Sequence, residues 1–267
     1  MFIQPEVPGH DEESAALAGR KRGGWRFGIT LTLLFVGTAG LAASAAGVSA
    51  QLLPRKFTTV QQQEIMNWEA ARRWRVLPAG KIFPATIAYQ LPAAALEADA
   101  GLPLKAYRVG ISQQTSCTLA SAPAAARVLS AGHCSAMLRA TYADETDSML
   151  VTVGVAVMPS ARAATSAAGA LSAGQELRPG IRAVAFGGTL AASFGQREQQ
   201  LSWATSAGPY LILSTAGYAD GRPEVPVSSD TYIDREMTNL ANGVADAVAA
   251  PLGAAPPVPK CPGAPGC

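Results

Sequence analysis

The residues most able to support chemistry in this 267-residue sequence lie in the segment CTLASAPAAARVLSAGHC, from Cys117 to Cys134. His133 stands directly before the second cysteine, and the only other histidine is His10, near the N-terminus. A histidine serves as a general base in hydrolysis when a buried aspartate orients its ring and a serine hydroxyl lies within hydrogen-bonding reach. The segment therefore offers one candidate base, and its use depends on the partners that the rest of the chain provides.

The last seven residues of that segment, VLSAGHC, resemble the histidine box of the trypsin-like serine proteases, in which a histidine beside a disulfide-bonded cysteine is the general base. The resemblance would make His133 catalytic, but Asp144 and Asp147 follow it too soon for the family's order. The glycine-aspartate-serine-glycine-glycine box is absent, and the residues before His133 favour a helix where the family has strands. The sequence therefore predicts no catalytic residue: Gly132 ends a helix in the left-handed conformation, His133 is exposed or capping, and Cys134 is structural.

All four cysteines lie in the C-terminal four-fifths of the chain: Cys117, Cys134, Cys261 and Cys267. An even number of cysteines in an oxidising compartment indicates two disulfides, and four cysteines allow three pairings. The pairs closest in sequence, 117 with 134 and 261 with 267, are the most economical choice and are predicted here.

A run of 27 uncharged residues, 27–53, separates a short polar head from the rest of the chain. About 20 apolar residues suffice for a helix to cross a bilayer, so residues 27–50 are predicted to be a transmembrane helix. Four lysines or arginines lie within seven residues before this run and only Arg55 and Lys56 lie close after it, which places the N-terminus in the cytoplasm and the C-terminal domain outside. The alternative is a secretory signal peptide cleaved between Ala50 and Gln51.

Composition and motifs argue against several functional classes. The net charge is +2 and 15% of the residues are charged, so neither nucleic acid nor an acidic substrate is implied. No glycine-lysine phosphate loop, dinucleotide fingerprint or zinc-type spacing occurs, and His10 and His133 would lie on opposite sides of the membrane. Two groups of acidic residues could bind calcium loosely, Glu64 with Glu69 and Asp144 with Glu145 and Asp147, but both are more typical of solvated surface. No metal, cofactor or small-molecule ligand is therefore predicted.

Hydrophobic periodicity and turn residues predict an α+β domain, in which an antiparallel sheet carries helices packed on one of its faces. The predicted domains are a disordered cytoplasmic head at 1–26, the transmembrane helix at 27–50 and a juxtamembrane helix or stalk at 51–80. The extracytoplasmic α+β domain follows at 81–250, and a Pro/Gly-rich tail at 251–267. Helices are predicted at 57–76, 124–130, 160–173 and 231–250. Strands are predicted within 81–91, at the sheet edge, and at 137–142, 150–158, 181–187, 201–206 and 210–218.

Three further runs resemble a group of uncharacterised actinobacterial membrane-anchored proteins: WRVLPAGKIFPAT at 74–86, LRATYAD at 138–144 and VGVAV at 153–157. The group has no assigned activity, so the resemblance implies location and an α+β fold only. The expected function is that of a non-catalytic accessory or interaction module of the bacterial cell envelope, with the lipid bilayer and other envelope proteins as partners. The alternatives are a divergent trypsin-like hydrolase that uses His133 and a secreted protein that begins near Gln51.

Overall fold

Six antiparallel strands in the order β1-β2-β3-β4-β6-β5 form the centre of the part of the chain that the computed structural model describes, residues 56–90, 103–172, 180–223 and 232–261. The α+β class predicted from the sequence is confirmed. The strands are β1 Thr86–Gln90, β2 Pro103–Ile111, β3 Ala136–Asp144, β4 Met149–Val157, β5 Gln199–Ala207 and β6 Tyr210–Tyr218. The helices are α1 Thr59–Val76, α2 Ala79–Ile82, α3 Pro123–Ala131, α4 Ala161–Ser172 and α5 Tyr232–Gly253.

Helices cover both faces of the sheet, so the predicted packing on one face is wrong. Every residue of the central strand β4 is buried. Its alternate valines, Val151 to Val157, pack with α5 in the main core, whereas Ala156 packs on the opposite face with residues of α3 and α4. Gly154, on that opposite face, has no side chain, and a Cβ there would lie 2.1 Å from Ile181 Cδ1. Small residues at alternate positions therefore allow close packing where the sequence pattern indicated a less buried face.

Residues 181–187, predicted as a strand, lie across this second face instead, and Ile181 makes only an isolated bridge with Ser121. Side chains that project from the sheet bind the backbone of the segment. The Thr141 hydroxyl donates to Val184 O at 2.8 Å, and Val184 N–H donates to Thr152 Oγ1 at 3.1 Å. Because these side chains satisfy its polar groups, the segment needs no strand partner.

Helix α1 packs on the domain through its C-terminal half. The buried Tyr210 hydroxyl donates to Ala70 O at 2.6 Å and accepts from Trp74 N–H at 3.2 Å. Arg73 donates to Leu252 O in the last turn of α5 at 2.9 Å and to Ala254 O just after it. The chain then runs back beside α1, because Phe57 N–H donates to Lys260 O at 3.1 Å. These contacts show that the helix predicted as a juxtamembrane helix or stalk packs on the α+β domain itself.

None of the helices within the described ranges is both long enough and apolar enough to cross a membrane. The predicted transmembrane segment, 27–50, lies outside those ranges, as does the predicted cytoplasmic head.

Candidate functional site

The candidate base lies at an exposed corner between α3 and β3. Gly132 has φ −81° and is not left-handed, so the predicted terminator is wrong, and His133 itself takes the left-handed conformation at φ 56°. The neighbouring Cys134 forms the predicted disulfide with Cys117, with Cα atoms 6.3 Å apart. Helix α3 begins with Pro123 in its first turn, and its N-cap residue Ala122 makes no side-chain capping bond. The corner is thus a disulfide-tied connection.

The two aspartates considered as partners of His133 lie at the other end of β3. Nine residues of extended strand separate the ends, which corresponds to about 27 Å. Asp144 is buried and accepts hydrogen bonds from the turn that follows it, among them Ser148 N–H at 2.8 Å and Met149 N–H at 2.7 Å. The prediction that this turn is solvated therefore fails for Asp144, whose carboxylate holds the β3–β4 turn together and cannot orient His133.

The second predicted disulfide joins Cys261 to Cys267. Cys267 lies outside the described residues, so this pairing stays a prediction. Within the described residues no group of three or more histidine, cysteine, aspartate or glutamate side chains is placed to hold a metal ion.

A cleft of about 520 Å³ lies between helix α5 and the end of β1, and Pro103 of β2, the partner of Gln90, also lines it. Its strand side includes Ala88 and Gln90, and its helix side includes side chains spaced three to four residues apart: Asn239, Asn242 and Asp246. This spacing places them along one side of the helix. The cleft therefore combines a sheet edge with a polar helix wall.

Gly243 brings the two sides of this cleft together. A Cβ on Gly243 would lie 2.4 Å from the Cβ of Tyr89, which is too close for any side chain without movement. Tyr89 points inward and is buried beneath α5. Glycine at this position thus sets how closely the helix approaches the edge strand.

A second cleft, of about 480 Å³, lies between the β3–β4 turn, the end of β6 and Glu236 of α5. Its carboxylates are those of Asp147, Asp220 and Glu236. Arg222 is also part of this wall, where it pairs with Asp220 at 2.5 Å and lies 4.4 Å from the ring centre of Tyr218. Arg222 therefore already neutralises one of the three carboxylates, that of Asp220, and covers the ring of Tyr218.

Burial raises the pKa of Tyr142, whose hydroxyl donates to Pro84 O at 2.9 Å, and the nearby Arg108 lowers it only in part. An unfolded tyrosine ionises near pH 10, so the stability that Tyr142 contributes is present below pH 10 and is lost above it. We expect the stability difference between wild type and Tyr142→Phe to shrink by about 1 kcal/mol between pH 8 and pH 11. Urea unfolding at several pH values measures this, and a constant difference would contradict it.

Neither family models, nor characterised proteins, nor solved structures show a match to this chain. The resemblances to the protease histidine box and to the membrane-anchored group therefore stay predictions. The β1 cleft was not predicted, although the sequence does place an edge strand within 81–91 and polar residues at helical spacing in 231–250. The missing information was that these two elements are neighbours.

Proposed function

We propose that the chain is a single-pass membrane protein of the cell envelope, whose extracytoplasmic α+β domain is a non-catalytic interaction module. The observation that carries this proposal is the β1 cleft, where a sheet edge that no described residue pairs with lies beside a polar helix wall, an arrangement that suits binding of another polypeptide. The bond between Cys117 and Cys134 supports an oxidising location. The excess of basic residues before residue 27 supports a cytoplasmic N-terminus.

Intact mass, disulfide mapping and fractionation of the protein from its own cells test the location. We expect a full-length chain in the membrane fraction with Cys117 bonded to Cys134. A soluble chain that begins at Gln51 would instead support the secreted alternative. Protease protection adds the orientation, since the domain should be cleaved from outside intact cells and the head should not.

Labelling with a fluorophosphonate tests the non-catalytic part of the proposal. We expect the rate at which the fluorophosphonate labels serines to be the same in the wild-type protein and in the His133→Ala variant. Labelling that depends on His133 would favour the hydrolase alternative, with an orienting group other than Asp144 or Asp147.

A further inference from the structure

We infer that the β1 cleft binds an extended segment of another envelope protein by strand addition, and that this segment carries a lysine or arginine. The inference rests on the proposed function, since it names how the interaction module recognises its partner. In strand addition the main chain of the ligand pairs with an exposed sheet edge and its side chains meet the flanking walls.

The hydrogen bonds of β1 leave one edge free among the described residues. Arg108 N–H donates to Ala85 O at 2.9 Å, and Thr86 stands opposite Tyr107. In an antiparallel pair this geometry makes Thr86 a non-hydrogen-bonded position, so that its backbone N–H and C=O point away from β2. The pattern repeats at every second residue, so the backbone N–H and C=O groups of Ala88 and Gln90 also point away from β2.

The free edge is the right size for a short segment. Five residues of strand extend over about 17 Å, which matches four to five residues of an added strand. The side chains of Thr86, Ala88 and Gln90 are exposed, and Ala88 is small. A segment can therefore approach the backbone of β1 without displacing a large side chain.

The helix wall carries an unsatisfied polar atom. Asn242 Oδ1 is enclosed and has no hydrogen-bond partner among the described residues. Buried polar atoms are normally paired. Asn242 is only half-buried and lines the cleft, so a turn of its amide would present this oxygen to a donor of a bound segment. Asn239 and Asp246 lie on either side of Asn242 along the helix and extend the row of acceptors.

The charge of the residues that line the cleft favours a bound segment with a lysine or arginine. Asp246 is exposed and is the one charged residue among the described residues that line the cleft. Burial raises the pKa of Tyr89, and the negative charges of Asp144, Glu145 and Glu236 raise it further, so acidic groups surround the inner face of β1. Lys105, which stands opposite Ala88, lies on the exposed face of β1 that is turned away from α5. Arg235, one turn before Asn239, is the basic residue nearest along the helix. A second copy of the chain would bring a wall of the same charge, so a basic segment of a different protein fits better.

Peptide binding to the full-length protein in detergent tests the inference, read by fluorescence anisotropy. The probe is a seven-residue peptide of alternating threonine and valine with a central lysine. Three control peptides accompany it. One carries glutamate in place of the lysine, and the other two carry backbone N-methyl groups, one on the odd-numbered residues and one on the even-numbered residues. We expect the lysine peptide to bind, and one of the two methylated peptides to lose at least about tenfold in affinity, because its donors to the edge are blocked.

Variants locate the site. Ala88→Pro removes an N–H that faces outward, so the pairing of β1 with β2 should remain, and peptide affinity should fall at least about tenfold, whereas Ala88→Ser should bind normally. Asp246→Lys should weaken the lysine peptide about threefold to fivefold and favour the glutamate peptide, whereas Glu64→Lys on α1 should change neither.

Several results would overturn the inference: no binding of the lysine peptide, equal binding of both methylated peptides, equal binding of lysine and glutamate peptides, or unchanged affinity in Ala88→Pro. A detergent-corrected mass that halves in Ala88→Pro would replace the partner by a second copy. The methylated peptides decide the matter if Ala88→Pro does not fold. Loss of peptide binding leaves the fractionation and labelling results intact, so this inference can fail while the proposed function stands.

Discussion

Replacement of both Cys117 and Cys134 by alanine is expected to lower the free energy of unfolding by about 3 kcal/mol. The bond closes a loop with a sequence separation of 17, and removing it restores conformational freedom to the unfolded chain. The loop contains α3, which contributes only Ala125 and Leu129 as fully buried residues. Urea unfolding at neutral pH measures the loss.

Reductant provides the control for this variant. Wild type should lose about the same 3 kcal/mol in excess reductant, whereas the double alanine variant should lose much less. Any effect of reducing Cys261 is common to both proteins and cancels in the comparison. If the alanine variant is much less stable than reduced wild type, the loss comes from packing around Cys117 and not from the covalent bond.

Local patterns allowed much of the fold to be predicted from the sequence. The hairpin of β5 and β6 turns at Gly208 and Pro209, as its turn residues indicate, and Gly208 has φ 58°. Helix α5 buries Met237, Leu240, Val244 and Val248 as its spacing indicates. Thr58 caps α1 with the reciprocal bonds of a capping box to Gln61. Each of these features depends on residues only a few positions apart.

The features that could not be predicted depend on neighbours distant in sequence. Strand β2 was not predicted, because Lys105 and Tyr107 are exposed on one face, Arg108 adds a charge on the other, and only Ala106 of its nine residues is buried. The covering of the second face depends on where residues 181–187 lie, and the side chains of Thr141 and Thr152 fix that position. The β1 cleft depends on the meeting of Tyr89 with Gly243, and no pattern within either element predicts that meeting.

Two glycines inside helices should respond to alanine in opposite directions. Gly169 in α4 is exposed, and a Cβ added to it would meet no atom within 4 Å, so Gly169→Ala should raise the free energy of unfolding by about 0.5–1 kcal/mol. Gly243→Ala gains the same helix propensity, but its Cβ would lie 2.4 Å from the Cβ of Tyr89. Relief of that contact requires α5 to move away from β1, and overpacking of this kind costs about 1–3 kcal/mol.

We therefore expect Gly243→Ala to be about 2 kcal/mol less stable than Gly169→Ala, as urea unfolding of the two variants would show. The displacement of α5 should also widen the β1 cleft, so the lysine peptide should bind Gly243→Ala more weakly than Gly169→Ala. Equal stability of the two variants would mean that α5 does not rest on Tyr89. Lower stability with unchanged peptide affinity would mean that the helix wall takes no part in binding, and the backbone edge of β1 would then account for recognition alone.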